Sequence, residues 1–520
     1  MARTPSQPRR WPIGLTLLVA GAVAAIVVVV VLVEGSKGKP DDAQGPLTVT
    51  VDLTHPGPAI PRSFLGLSIE YQSVPAYFGP GARPNRAFVR RVAALGAAQR
   101  APVALRIGGN SSDESWWNPA RRPRPHGVLY DLGPAWVASL ATGQARLGAP
   151  VTLGLNLALD DPGNALSLVR AVRARLRTPG VASLEIGNEP DLFTHARTFR
   201  VGRLIVHRPR QRLRYSPARY VAETQRYLAA LSSNVRAPRP RFAVGGFASA
   251  SYFDALAPLV DSRTSNVDEL VAHSYAITAC NGETPVDKLR AQLLTDGASR
   301  GLTKTVAPYL AAARSRGLPV RVSELNSAVC GGVRGVSDTF TAALWAPDAL
   351  FALANAGVRQ VDMHTWAGAY YAPLVVGRAA GRDVARPRPL YYGLMLFALA
   401  APAGSRLVPV RLTNAGSTRA WATIDPRGAL RLLLINRSTS ASREVLVRVA
   451  AVGGSGRLTL LRAPGIDARD GVTLGGRELS DDGALARPPL GASVSARGRR
   501  VRFTLPAASA GLLTLRVASR

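Results

Sequence analysis

The chain has 520 residues, a hydrophobic fraction of 47% and a formal charge of +32. That length and apolar content suit a large domain with a smaller companion and exclude a disordered chain. The positive charge is nearly all arginine, Lys37, Lys39, Lys288 and Lys304 being the only lysines, so it reads as a compositional bias spread over a surface and not as a nucleic-acid footprint.

Arg3, Arg9 and Arg10 precede an uncharged apolar run, Trp11 to Val33, about 34 Å long as a helix and enough to cross a bilayer. Positive charge on the amino-terminal flank puts residues 1–10 in the cytoplasm and everything after Glu34 outside. A cleaved signal peptide is the rival reading, but Val27 to Val33 lacks the small residues of a cleavage site, so an uncleaved transmembrane signal anchor is expected. Residues 34–46, rich in Gly, Pro, Lys and Asp, read as a solvated linker. Cys280 and Cys330 fall in the exported part, where a disulfide between them is permitted; the other reading is two free, partly buried thiols.

Leu47 to Leu53 alternates as a half-buried strand. Eight apolar runs follow: Phe64 to Tyr71, Val103 to Gly109, Val151 to Leu157, Val181 to Glu189, Phe242 to Phe247, Leu270 to Tyr275, Val320 to Asn326 and Val361 to Trp366. Helical segments lie between them, among them Asn85 to Ala98, Pro134 to Leu147, Asn164 to Leu176, Pro217 to Ser232, Thr303 to Ser315 and Thr339 to Ala356. Eight strand–helix units predict an α/β fold, a closed (β/α)8 TIM barrel over residues 47–400. Beyond Ala401, short strands separated by Gly, Pro, Asn and Asp turns predict an all-β sandwich over 401–520, which the strand at 47–53 would join.

Polar groups end most of the eight runs: Glu70, Asn110, Asn156, Asn188 with Glu189, His273 with Tyr275, Glu324 with Asn326, and His364 with Trp366. In a parallel barrel that end is where chemistry is assembled. Pro190 disfavours helical geometry at Glu189, which places this residue on a turn after strand four. Glu324 belongs to strand seven, across the mouth from strand four. Hydrolysis of a glycosidic bond needs such a pair, one carboxyl protonated and one ionised.

Several stretches then resemble glycoside hydrolase family 79, the β-glucuronidases and heparanases: Phe64-Leu-Gly-Leu-Ser-Ile-Glu70, Leu105-Arg-Ile-Gly-Gly-Asn-Ser-Ser-Asp113, Ile186-Gly-Asn-Glu-Pro-Asp-Leu-Phe193, and Gly331-Gly332 after Glu324. The resemblance implies a retaining glycosidase with Glu189 as acid/base and Glu324 as nucleophile. It further implies that Asn188 contacts the sugar 2-hydroxyl and that Tyr275 donates to the nucleophile. Gly331, Gly332 and either Tyr370 or Tyr371 would hold the uronate carboxylate. Asp113 would bind a sugar hydroxyl, joined in the substrate site by Asn110 and Glu70, and Trp116 or Trp117 would stack on a ring or merely pack.

No metal or other cofactor is expected, since no His-Glu-x-x-His or paired Cys-x-x-Cys occurs. The expected partner is a carbohydrate, an acidic glycan or glucuronide. Arg208, Arg210 and Arg212 lie in an acid-free stretch after Phe193 and read either as a polyanion contact or as a solvated loop. Two other functions fit the same residues: a neutral-sugar glycosidase, and a surface glycan-binding protein without catalysis.

Overall fold

The computed structural model describes residues 45–125, 128–193, 215–261, 266–279, 282–449, 455–480 and 491–517. The expected membrane span 11–33, the arginines 208, 210 and 212, and Cys280 lie outside them. Among the described residues no helix is long and apolar enough to cross a membrane.

All eight apolar runs become strands of one closed parallel barrel, in chain order around the ring. They are Leu65–Glu70, Ala104–Gly108, Val151–Leu155, Val181–Ile186, Arg241–Val244, Glu269–Ile277, Val320–Ala328 and Gln360–Thr365. The outer helices start where local chemistry starts them. The Asn85 side chain accepts from Phe88 N–H at 3.1 Å to begin Arg86–Gln99, and Asp161 accepts from Asn164 N–H at 2.9 Å to begin Pro162–Arg173. Pro162, Pro217 and Pro389 each sit at a helix start, where the missing N–H has no partner to lose.

The second sheet has eleven strands, and the strand Leu47–Val51 belongs to it. That strand pairs parallel to Arg443–Val449 and antiparallel to Val410–Thr413. The sheet is one continuous ladder whose turning point is Ala492–Arg497, paired on one side to Ser455–Arg462 and on the other to Arg500–Leu505. Its two halves close on a shared core in which Leu47, Val49, Val445 and Val447 meet Leu430, Leu432, Leu434 and Leu513.

Alternation assigns the other face of the inner half to the barrel. Leu433, Ile435, Ala510 and Leu512 join the barrel's core, so Ala429–Asn436 is apolar on both faces. Two barrel helices, Phe340–Ala356 and Pro389–Ala400, lie in this interface and are buried nearly all round, as their largely apolar sequences require. Trp421 stacks on Phe351 with ring centroids 5.6 Å apart, and its indole N–H donates to Asp348 Oδ1 at 2.7 Å. Asp296 on the barrel side pairs with both Arg419 and Arg437 of the second sheet. Sheet and barrel are therefore packed as one body.

Candidate active site

The barrel interior is charged. In five strands a charged or polar side chain stands between large aliphatics: Ser68, Arg106, Glu185, Arg321 with Ser323, and Asp362, all buried. Arg106 uses all five of its N–H donors. They reach Glu185 at 3.3 Å and 2.8 Å, Ser68 at 3.0 Å, Glu324 at 3.0 Å and Asn188 at 2.8 Å. A Cβ at Gly108 would lie 2.6 Å from Arg106 Nε, so only glycine leaves room for the guanidinium. Below it Arg321 bridges Glu185, Glu269 and Asp362. This stack fixes Arg106, and Arg106 fixes the two strand ends that carry Asn188 and Glu324.

Glu189 follows strand four by a sharp turn. Gly187 has φ +75° and Glu189 itself φ +47°, a left-handed conformation that a side-chain-bearing residue adopts only under constraint. The constraint is visible: Glu189 N–H donates to Gly246 O at 2.8 Å, and Pro190–Leu192 follows as a single tight turn. Glu189 Oε1 then lies 3.0 Å from His273 Nδ1. Glu324 faces the same imidazole, with Oε2 at 3.8 Å from Nδ1.

Glu324 is the more heavily furnished carboxylate. Oε2 accepts from Arg106; Oε1 accepts from the Tyr275 hydroxyl and lies 3.2 Å from His364 Nδ1. Burial would raise its pKa, but His364, His273 and Arg106 beside it, with the Tyr275 hydrogen bond, bring it down to about 2. Glu189 moves the other way. Burial raises its pKa, the charge of Glu324 adds to the rise, and the His273 bond only moderates it. His273 itself is pushed up to about 10: burial opposes its charge, and Glu324, Glu185 and Glu189 overcome that. Two facing carboxyls thus have environments that separate an acid from a base.

Glu189, His273 and Glu324 present one ligand atom each within 4.8 Å of one another, a spacing that would admit a metal ion. The donor set does not fit one. Arg106 already places a cation 3.0 Å from Glu324, and metal ligation would strip the proton that three carboxylates hold on His273.

Among the other residues named from sequence, Asn188 lies at the centre, its amide donating to Asn110 Oδ1 at 3.0 Å on the exposed side. Tyr371 is buried, with its hydroxyl 2.8 Å from His364 Nδ1, whereas Tyr370 is 41% exposed. Three of the nominated residues are engaged by protein. The Asp113 carboxylate accepts from the backbone N–H groups of Leu157, Ala158 and Asn188 and so braces the loops after strands three and four. Glu70 is likewise taken up by protein: it accepts from Asn110 N–H and from Ser111 N–H and hydroxyl, and lies 3.1 Å from His364 Nε2. A Cβ at Gly109, φ +85°, would sit 2.3 Å from Glu70 Oε1, so that glycine serves this brace. Gly332 N–H donates to Val329 O at 3.0 Å inside its own turn. Gly331 O accepts from Tyr370 N–H at 2.7 Å, and its missing side chain makes room for the Trp366 indole.

Trp116 is tied to Asp131 through its indole N–H, 2.7 Å away, and Trp117 packs against the barrel core. Cys330 is disulfide-bonded. The residues that sequence reasoning missed are Arg106, Glu185 and Arg321, and the bridging position of His364 between Glu70 and Glu324. Their signal was a lone charge inside an otherwise aliphatic strand.

An eight-stranded parallel barrel with two facing glutamates at the ends of strands four and seven marks the chain as a glycoside hydrolase, and the known proteins agree. No family model matches the chain. It is 24% identical over 438 residues to a beta-glucuronidase of Aspergillus niger, covering 77% of this chain and 74% of the relative. It is 24% identical over 447 residues to a beta-glucuronidase of Neurospora crassa, covering 76% of each. Among solved structures it resembles a 4-O-alpha-L-rhamnosyl-beta-D-glucuronidase from Fusarium oxysporum 12S, with TM-score 0.69, 19% identity and 90% of this chain against 100% of that one. It also resembles the GH51 arabinofuranosidase from Xanthomonas axonopodis pv. citri, with TM-score 0.67, 17% identity and 91% against 100% coverage. Within the glycoside hydrolases the chain fits family 79, the resemblance its motifs carry.

Proposed function

We propose that this chain releases terminal β-linked glucuronic acid, or a related uronate, from glycans or glycoconjugates with retention of configuration. The observation that carries the stereochemistry is the separation of the carboxyls. One oxygen of Glu189 and one of Glu324 lie within 4.8 Å of each other, near the roughly 5 Å spacing of a nucleophile pair and short of the roughly 6.5–9.5 Å of inverting pairs. In this reading Glu189 protonates the departing glycosidic oxygen while Glu324 attacks the anomeric carbon, forming a glycosyl ester. Glu189, now a base, takes a proton from the water that hydrolyses the ester. Asn188, held by Arg106, is positioned to meet the 2-hydroxyl, a contact that strengthens as the ring gains charge. The choice of a uronate rests on the names of the relatives and on the motif resemblance.

One observation favours a second reading, a neutral-sugar glycosidase. The Gly332 N–H nominated for the carboxylate is spent within its turn, and arabinofuranosidases share the fold. Hydrolysis of the 4-nitrophenyl β-D-glucuronide, β-D-glucoside, β-D-xyloside and α-L-arabinofuranoside separates the two. The proposal expects turnover of the glucuronide, abolished in Glu324→Gln; turnover of a neutral glycoside alone would replace it. The uncharged run Trp11 to Val33, with arginines on its amino-terminal side, supports a membrane-anchored enzyme with its barrel outside the cytoplasm.

A further inference from the structure

The outer half of the second sheet turns one face to its own core and the other to solvent. Along Leu47–Val51, Arg443–Val449 and Arg500–Leu505, the residues Val49, Val51, Val447, Val449 and Val501 point inward and are buried. The alternate positions point out. Strand register lines several of these up across five neighbouring strands: Arg497 lies opposite Arg500, Arg500 opposite Arg448, Arg448 opposite Thr50, and Thr50 opposite Arg411. All five are exposed.

Like charges directly opposite on adjacent strands destabilise a sheet, and here two such pairs share Arg500. Among the described residues none of the four arginines forms an ion pair with an acid. Glu444 is the only acidic residue on these five strands, and it accepts from the Thr504 hydroxyl at 2.6 Å, away from the row. A compositional excess of arginine does not explain a line of them held in register against their mutual repulsion. The line is also narrow. In the next row Arg502 faces Leu446, which neighbours Thr48 and then Thr413, so charge nearly disappears one step along the strands.

We propose that Arg411, Arg448, Arg497 and Arg500 form a binding site for a linear acidic polysaccharide, distinct from the catalytic centre. Strands about 4.8 Å apart give the five positions a span of about 19 Å. A row one side chain wide, with a threonine hydroxyl in its middle, complements a polymer carrying carboxylates or sulfates along one axis. A lipid surface would meet charge spread in two dimensions. The site would hold an acidic polymer to the enzyme independently of the sugar in the barrel.

The test uses the full chain in neutral detergent, carrying Glu324→Gln so that no polymer is cut, titrated with polygalacturonate. One variant replaces the four row arginines by Thr. A control replaces Arg170, Arg175, Arg236 and Arg314, exposed on other elements, by Gln and removes the same charge. The row variant binds the polymer roughly tenfold more weakly or worse, with a shallower salt dependence, and the control stays within about twofold. The row variant also melts no lower than its parent, because its like-charge pairs are gone. Arg500→Thr alone, which removes both pairs at once, carries the same expectation in smaller measure. Equal losses in row variant and control would overturn the proposal. So would failure of the parent chain to bind polymer while phosphatidylglycerol vesicles capture it through the row, which would assign the face to lipid.

Discussion

Replacing Tyr275 by Phe deletes one oxygen from the catalytic centre and keeps its shape. The ring still packs near Tyr371, centroids 6.3 Å apart, while Glu324 Oε1 loses the hydroxyl that donates to it. A hydrogen bond to a charged group contributes about 1.5–3 kcal/mol, which at 1.36 kcal/mol per decade is roughly 10- to 150-fold in rate. Two readouts should move together. The value of kcat/KM on 4-nitrophenyl β-D-glucuronide falls within that range. Its acid limb also shifts upward, because Glu324, held at about 2 partly by this bond, titrates closer to an ordinary carboxyl. The assay is a pH profile of initial rates for parent and variant. An unchanged rate, or a lower rate with an unmoved acid limb, would refute the assignment of Tyr275 to the nucleophile.

Glu189→Gln should remove the basic limb of the profile, which is set by loss of the raised proton on Glu189, and cost about 10²–10⁴ in rate on alkyl glucuronides. Nitrophenyl substrates, whose leaving group needs less protonation, should lose less. His273 has a folded-state pKa near 10 against an ordinary 6.5, so its contribution to stability is complete below 6.5 and is lost as pH rises through 10. The melting temperature should therefore fall across that window, and fall less in His273→Gln; identical slopes would count against a protonated imidazole in the fold. Trp421→Ala empties the stack on Phe351 and leaves Asp348 Oδ1 without its indole donor, at a cost of about 3 kcal/mol. Calorimetry should show one transition, shifted down, because barrel and second sheet share this core; two resolved transitions would contradict that.

The fold was legible because each barrel strand is a short aliphatic run between turn-forming residues, and its period differs from that of the capped helices around it. Leu47–Val51 was legible for the same reason, and alternation alone marked it as half-buried. The helix Pro389–Ala400 was not, since a segment buried on every side carries no periodic signal. The strands Arg406–Val408 and Val410–Thr413 are too short to show one. At the site, Glu189 and Glu324 could be found because a carboxyl at the end of a strand stands out. Asp113 stands out equally, but sequence does not reveal the three backbone N–H groups that its oxygens accept from. The converse holds for Arg106, whose five hydrogen bonds reach strands one, four and seven and the turn after four. A single sequence shows the residue but not the convergence that makes it the centre of the site.

The central claim is a nucleophile and an acid/base close enough for double displacement. The most direct test is proton NMR of the first-released sugar during hydrolysis of 4-nitrophenyl β-D-glucuronide, before mutarotation. The β-anomer appearing first is the predicted result, as retention requires of Glu324 attacking within the carboxyl separation seen here. The α-anomer appearing first would mean a single inversion through an attacking water, and would contradict the account.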